Sequence, residues 1–256
     1  MTKEVIDLRS ALELLESIPG QMVHTDVEVD PSAELAGVYR YVGAGGTVAR
    51  PTKTGPAMTF ENVKGHPGAK VVIGLLASRK RVGYLLNSKP EKLGFMMRDA
   101  VKNAIAPVVV DKAKAQCQEV VHLATDEGFD IRKLIPAPTN TPEDAGPYVT
   151  LGMCYASDVE TGESDVTIHR LCLHLGAFRE KAEALGKPLP ISISIGVDPA
   201  IEIASCFEPP TTPLGFNELS IAGAIRGKAV ELAPCVTIDE KCIANAEYVI
   251  EGELLV

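Results

Sequence analysis

The spacing of apolar residues changes character near Pro107, and this change constrains the fold more than any single motif does. Upstream, helical and strand periods alternate. Leu8, Ala11, Leu12, Leu15 and Ile18 fall on one face of a helix that begins near Asp7 and stops at Pro19 and Gly20. Val23, Thr25, Val27 and Val29 then alternate with polar neighbours as a strand does, and Pro31 and Ser32 open a second helical pattern that runs to Tyr39. Short strands near 58–60 and 71–76 and helices from about Ser78 and Lys92 complete a pattern that predicts an α/β unit. Downstream, strand-like runs dominate, at 108–110, 119–123, 148–155 and 166–173. The turn-rich stretch 157–163 predicts that the last two form a hairpin. The proline-rich segment 136–142 is neither helix nor central strand, because proline lacks the amide donor both need. A helix over 177–185, a strand over 191–197 and a short helix near Ala200 started by Asp198 and Pro199 follow. A helix then runs from an Asn217 N-cap to Arg226 and stops at Gly227, before strands at 230–238 and 247–255. The second half therefore reads as a mainly antiparallel sheet or barrel with inserted helices. The division expected is 1–115 for the α/β unit and 116–256 for the β-rich unit.

A formal net charge of -9 over 256 residues argues against a polyanionic partner, since nucleic acid or an anionic membrane would be repelled at long range. A small anion can still bind in a local basic pocket. The first ten residues show neither a signal-peptide core nor a transit-peptide composition, and no apolar run approaches the roughly 18 residues of a membrane span. The six cysteines form no C-x-x-C pair and follow no zinc-ligand spacing, which predicts reduced thiols in a cytoplasmic protein. The glycine-rich turn at 43–46 lacks the Lys-Ser/Thr of a phosphate loop and the spacing of a dinucleotide fingerprint. His24, His66, His122 and His174 have no companion at metal-ligand spacing.

Three residues stand out chemically. Period two places Arg170 on the same strand face as Val166, Ile168 and Cys172, a cation on an apolar face that requires an anionic partner. Two readings follow: a structural salt bridge, or a guanidinium fork held to meet a bound carboxylate, phosphate or polar ring. Asp165 opens the same strand, and Glu218 opens the helix after the proline-rich segment 207–213. Together they could share a divalent cation, which favours hard oxygen ligands. Taken singly, Asp165 is an ordinary strand-end acid and Glu218 an ordinary first-turn acid complementing the helix dipole.

Four stretches, 165–170 (DVTIHR), 191–200 (ISISIGVDPA), 218–227 (ELSIAGAIRG) and 246–253 (AEYVIEGE), in this order, resemble the central domain of the UbiD-type decarboxylases. Upstream, 42–47, 60–65 and 138–148 resemble the branch that acts on hydroxybenzoates, so the resemblance covers nearly the whole chain. It implies an amino-terminal α/β domain, a central split β-barrel like that of flavin reductases, and a carboxyl-terminal α/β domain. Only the first two are matched by these residues.

The implied activity is non-oxidative, reversible decarboxylation of a hydroxylated benzoic acid such as protocatechuate, 4-hydroxybenzoate, vanillate or gallate. The implied cofactors are prenylated FMN and Mn2+ or Mg2+, with K+ as a companion ion. By position, Asp165 and Glu218 match the family's metal ligands. Ile168, His169 and Arg170 match the segment lining the flavin, and Arg170 matches the catalytic arginine. The implied partners are the aromatic acid, a flavin prenyltransferase that supplies the cofactor, a small accessory subunit and further copies of the chain. Between Arg170 and the helix matched at 178–182 the family carries a longer loop with a histidine metal ligand, and its acid glutamate lies beyond the matched residues. Two rival readings are kept: an inactive fragment that retains a flavin- or partner-binding barrel, and a generic flavin-binding oxidoreductase.

Overall fold

The computed structural model describes residues 4–44, 54–158, 161–173, 189–207 and 217–254. The helix expected over 177–185 and His174 lie outside these residues. Helix α1 (Leu8–Glu16) starts at Asp7, whose carboxylate accepts from the Ser10 amide while the Ser10 hydroxyl accepts from the Asp7 amide, a reciprocal cap that satisfies two otherwise orphaned donors. Its buried face, Ala11, Leu14 and Leu15, packs with Val5, Leu75 and Leu85. Strand β1 (Met22–Thr25) pairs in parallel with β2 (Ala57–Phe60), which pairs antiparallel with β3 (Val71–Ile73). Helix α2 (Glu34–Ala44) covers this sheet through Leu35 and Tyr39. Helices α3 (Arg79–Leu85) and α4 (Leu93–Lys102) follow, α3 capped by Ser78 as expected.

The β-rich part contains two sheets. In the larger, β5 (Tyr148–Ser157), β6 (Ser164–Cys172), β7 (Leu189–Ile195) and β10 (Tyr248–Leu254) lie in the order β10-β7-β5-β6, every pairing antiparallel. In the smaller, β4 (Val108–Val109) is parallel to β8 (Glu231–Pro234), which is antiparallel to β9 (Lys241–Ile243). The short helix α5 (Ile131–Leu134) precedes β5, while α6 (Pro199–Ala204) and α7 (Glu218–Arg226) pack between the sheets and α4. The principal core joins Met153, Tyr155 and Val166 of the larger sheet to Leu232 and Ile243 of the smaller through Ile201, Leu219 and Ile221. Among the described residues the strands form no closed barrel, and the fold is a mixed α/β arrangement of sheets and helices.

Three local expectations change. The strand read from 23 to 29 ends at Thr25, and Val27 is 70% exposed; Val29 is buried and makes only an isolated bridge to Val63. Residues 119–123 form no strand, because among the described residues no strand pairs with them, and Val120, Val121 and Leu123 are exposed. The run 230–238 supplies only β8, and the chain turns at Cys235, whose amide donates to the Glu240 carbonyl, to add β9.

The sheets meet through serines. In β7, Ser192 and Ser194 are fully buried and the alternating isoleucines only half-buried. The Ser192 hydroxyl donates to the Lys241 carbonyl at 2.6 Å, and the Ile243 amide donates to Ser194 Oγ at 3.2 Å. Hydroxyls therefore satisfy β9 backbone groups that no strand reaches, which a buried apolar side chain could not do.

Candidate metal and cofactor site

Strand β6 carries the site, and two local devices aim its side chains. At one end Asn217 caps α7: its Oδ1 accepts from the Leu219 amide at 2.8 Å, and its Nδ2 donates to the Ser164 carbonyl at 3.0 Å and hydroxyl at 3.1 Å. One side chain thus ties the start of α7 to the start of β6, bringing Glu218 against Asp165. Asp165 is exposed and accepts from the Val166 amide at 2.7 Å. Glu218 is buried, with 7% of its surface accessible, its carboxyl is hydrogen-bonded to Asp165, and its Oε2 has no hydrogen-bond partner among the described residues. Burial, and then the Asp165 hydrogen bond, pushes the Glu218 carboxyl up to about 8. Two carboxylates this close cannot both ionise without a positive charge between them. The pair holds either a proton or a cation, and the orphaned Oε2 is an oxygen donor a divalent ion would use. Among the described residues no set of three His, Cys, Asp or Glu side chains is arranged for a metal, so these two carboxylates are an incomplete ligand set.

At the other end, β5 bulges. Val149 pairs with Leu171 and Gly152 with His169, so Thr150 and Leu151 both stand opposite Arg170. A bulge bends the strand and re-aims the residue beside it. Gly152 packs closely here, since a Cβ would lie 2.6 Å from Leu171 Cδ1 and 3.2 Å from Ile193 Cγ2, so those side chains would have to shift to admit one. Val166 is buried and Ile168 packs on the core, as period two requires, but the apolar face ends there: Arg170 is exposed, and Cys172 half-buried. The expectation of an arginine buried on that face is corrected: Arg170 is exposed, on the edge strand of the sheet and opposite the bulge in β5. Among the described residues Arg170 makes no ion pair, so the structural salt bridge is not formed there. Its neighbours are Tyr148 and Cys172, whose side chains are hydrogen-bonded to each other; that bond raises the Tyr148 phenol from its ordinary range, and Arg170 draws it back down. His169 is exposed and paired with Gly152.

The structure therefore brings Asp165 and Glu218 together and leaves Arg170 apart from them. Asp165 and Arg170 are five steps apart on β6, about 16 Å of extended chain. Sequence reasoning did not single out Ser164, Tyr148 or the clamping role of Asn217; its N-cap position was the one signal available.

An α/β layer followed by sheets of this topology agrees with the comparisons to known domains. Residues 12–101 match the 3-octaprenyl-4-hydroxybenzoate carboxy-lyase N-terminal domain, and residues 108–256 match the Rift-related domain of the same carboxy-lyase. The chain belongs to the UbiD family. It is 53% identical over 270 aligned residues to the gallate decarboxylase of Lactiplantibacillus plantarum, the match covering 100% of this chain and 55% of that protein. The apo 3,4-dihydroxybenzoic acid decarboxylase of Enterobacter cloacae superposes with a TM-score of 0.89 at 56% identity, over 98% of this chain and 55% of that one. An evolved dimeric form of the UbiD-class enzyme HmfF from Pelotomaculum thermopropionicum, in complex with prFMN, superposes with a TM-score of 0.81 at 32% identity, over 96% of this chain and 57% of that one. The chain thus spans about half the length of the relatives it matches. No helix among the described residues is long and apolar enough to cross a membrane.

Proposed function

We propose that these residues are the cofactor-binding part of a non-oxidative, reversible decarboxylase of hydroxylated benzoic acids that uses prenylated FMN and a divalent metal. The observation that carries this reading is the buried Glu218 carboxyl held against Asp165 at one end of the strand that presents an exposed Arg170 at the other, with neither Glu218 Oε2 nor Arg170 partnered among the described residues. The names of the gallate and dihydroxybenzoate decarboxylases among the relatives support the substrate class. The prFMN complex of HmfF supports the cofactor.

In this reading Asp165 and Glu218 would hold Mn2+ or Mg2+, whose positive charge would let both carboxylates ionise and would favour a nearby phosphate. Ile168 gives the flavin an apolar wall, and His169 neighbours it on the same strand. When bound, prenylated FMN supplies the electron sink that lets a carbon–carbon bond to CO2 break. Arg170 binds and orients the substrate carboxylate with its planar fork, a donor set fixed in place before the reaction begins. A flavin prenyltransferase supplies the cofactor, and a small accessory subunit and further copies of the chain complete the assembly. The division into 1–115 and 116–256 is part of the same proposal.

The test is to produce the chain together with a flavin prenyltransferase and Mn2+, record its absorbance spectrum and intact mass, and follow CO2 release from protocatechuate and gallate. Bound prenylated flavin that is lost in Glu218→Gln, with turnover lost in Arg170→Ala, supports the assignment. Neither flavin nor CO2 release from the folded chain would overturn the catalytic reading in favour of an inactive fragment.

A further inference from the structure

Three of the six cysteines, distant in sequence, meet in a small-residue pocket on the side of the lesser sheet. Cys242 of β9 is fully buried, Cys235 follows β8 and is buried, and Cys117 is half-buried in a short helical turn at Gln116–Gln118. The alanines Ala115, Ala233 and Ala244 line the same cluster. Cys117 Sγ and Cys242 Sγ lie 3.8 Å apart, although 125 residues separate them in sequence. The backbones around them are fixed: the Cys117 amide donates to the Ala244 carbonyl at 3.2 Å, and Cys242 is paired with Ala233 across the β8–β9 ladder. A disulfide of about 2.0 Å would therefore require the two sulfurs to close by less than about 2 Å. Because no three-ligand metal arrangement occurs among the described residues, the chemistry of this cluster is that of thiols.

The donors around Cys242 distinguish it from its partners. Its sulfur contacts the thiols of Cys117 and Cys235, and Gln118 Nε2 lies 3.9 Å away while also donating to the Pro234 carbonyl at 2.7 Å. These contacts, Cys117 first and Cys235 next, hold the Cys242 thiol well below its ordinary range, whereas contact with Cys242 together with burial pushes Cys117 up. The pair is asymmetric in burial: Cys117 is half-buried and nearer to solvent, and Cys242 lies fully buried behind it.

We infer that Cys117 and Cys242 form a reversible thiol–disulfide site, oxidised by hydroperoxides and reduced by dithiols. In the first step hydrogen peroxide transfers an oxygen atom to Cys117: an S–O bond forms, the O–O bond breaks, and water, or the alcohol where the oxidant is an organic hydroperoxide, leaves with the thiol proton. In the second step Cys242 attacks the Cys117 sulfur: the S–S bond forms, the S–O bond breaks, and the hydroxyl leaves as water with the Cys242 proton. Two thiols and one hydrogen peroxide thus give one disulfide and two waters, the peroxide taking the two electrons. The reaction is slow, because thiolate character is concentrated on the buried sulfur, so the site responds to sustained oxidant. The product ties the Gln116–Gln118 turn to β9.

The test uses the full chain, reduced, desalted and exposed to hydrogen peroxide. The expected result is an intact mass lower by two hydrogens, a non-reducing peptide map in which the Cys117 and Cys242 peptides are joined, and full reversal by dithiothreitol. Cys117→Ser and Cys242→Ser should each lose the cross-link, and Cys172→Ser should keep it. The map of the unmodified chain decides the matter even if a variant fails to fold. A Cys235–Cys242 cross-link, or oxygen addition without any cross-link in protein whose circular dichroism is unchanged, would overturn the inference.

Discussion

Replacing Arg226 by methionine removes one side of a buried ion pair within the β-rich part, and with it a hydrogen bond that reaches back to the first half of the chain. The Arg226 guanidinium grips Asp198 bidentately, Nε donating to Oδ2 at 2.8 Å and a terminal nitrogen to Oδ1, and its remaining nitrogen donates to the Leu85 carbonyl at 2.8 Å. Asp198 is only 5% exposed and also caps α6 by accepting from the Ala200 amide at 2.8 Å. Breaking a buried pair from one side costs about 3–5 kcal/mol, because the surviving charge stays desolvated. The Leu85 carbonyl, left without its donor, adds about 1 kcal/mol. The sum, about 4–6 kcal/mol, is a large share of a typical domain stability of about 5–15 kcal/mol. With a urea slope of about 2–3 kcal/mol per M, the unfolding midpoint of Arg226→Met should fall by about 2 M. Arg226→Lys keeps the charge but not the fork, and should fall less. Adding Asp198→Asn to Arg226→Met removes the stranded charge while keeping a capping oxygen, so the double variant should recover about half of the loss. A midpoint for Arg226→Met within about 0.5 M of the parent, or a double variant weaker than the single one, would refute the reasoning.

Glu202 is 4% exposed, its Oε2 has no hydrogen-bond partner among the described residues, and burial, with Asp198 adding to it, raises its carboxyl from 4.5 to about 8. Between those values the folded state keeps a proton that the unfolded chain has released. Stability therefore falls as pH rises through that window, and Glu202→Gln should flatten the fall when urea midpoints are compared across it. At Gly223 a Cβ would lie 2.6 Å from the Ile105 carbonyl oxygen and 3.1 Å from that of Lys228, so Gly223→Ala must push backbone apart and should cost about 1–3 kcal/mol in the same assay. Asn217→Ala removes both the α7 cap and the tie to Ser164. It should cost about 1–2 kcal/mol in stability and, in calorimetric titration, weaken Mn2+ binding while Asn217→Asp retains the cap.

Much of the fold was legible because its signals are local. Asp7, Ser78, Asp198 and Asn217 each start the helix expected of them, and Gly227, at φ 72°, ends α7 in the left-handed conformation that glycine adopts without strain. The β5–β6 hairpin followed from its turn residues in the same way. What failed were statements that depend on a partner. Apolar residues at 119–123 resemble a strand in composition but have no strand beside them among the described residues, and the serines of β7 face inward, where their hydroxyls bond the β9 backbone. Arg81 drew no notice in the sequence, yet it is buried with its guanidinium donating to the carbonyls of Gly55 and Gly74. The candidate site divides along the same line. Its residue types were readable, and the resemblance named them, but alternation put Arg170 on the apolar face, and only the folded sheet shows it exposed, opposite a bulge.

By itself, then, the sequence determined where helices start and stop, the change from mixed to β-rich structure, and which acids and which arginine are candidates for chemistry. Each of these depends on torsional preferences and capping within a few residues. Tertiary structure decided which of them meet: Asn217 draws Glu218 onto Asp165, Arg226 reaches Asp198 and Leu85, and Cys117 reaches Cys242 across 125 residues. Burial and desolvation are properties of surroundings assembled from distant segments, so the charge state of Glu218, the strength of the Arg226 pair and the pairing of the thiols arise only when the chain has folded.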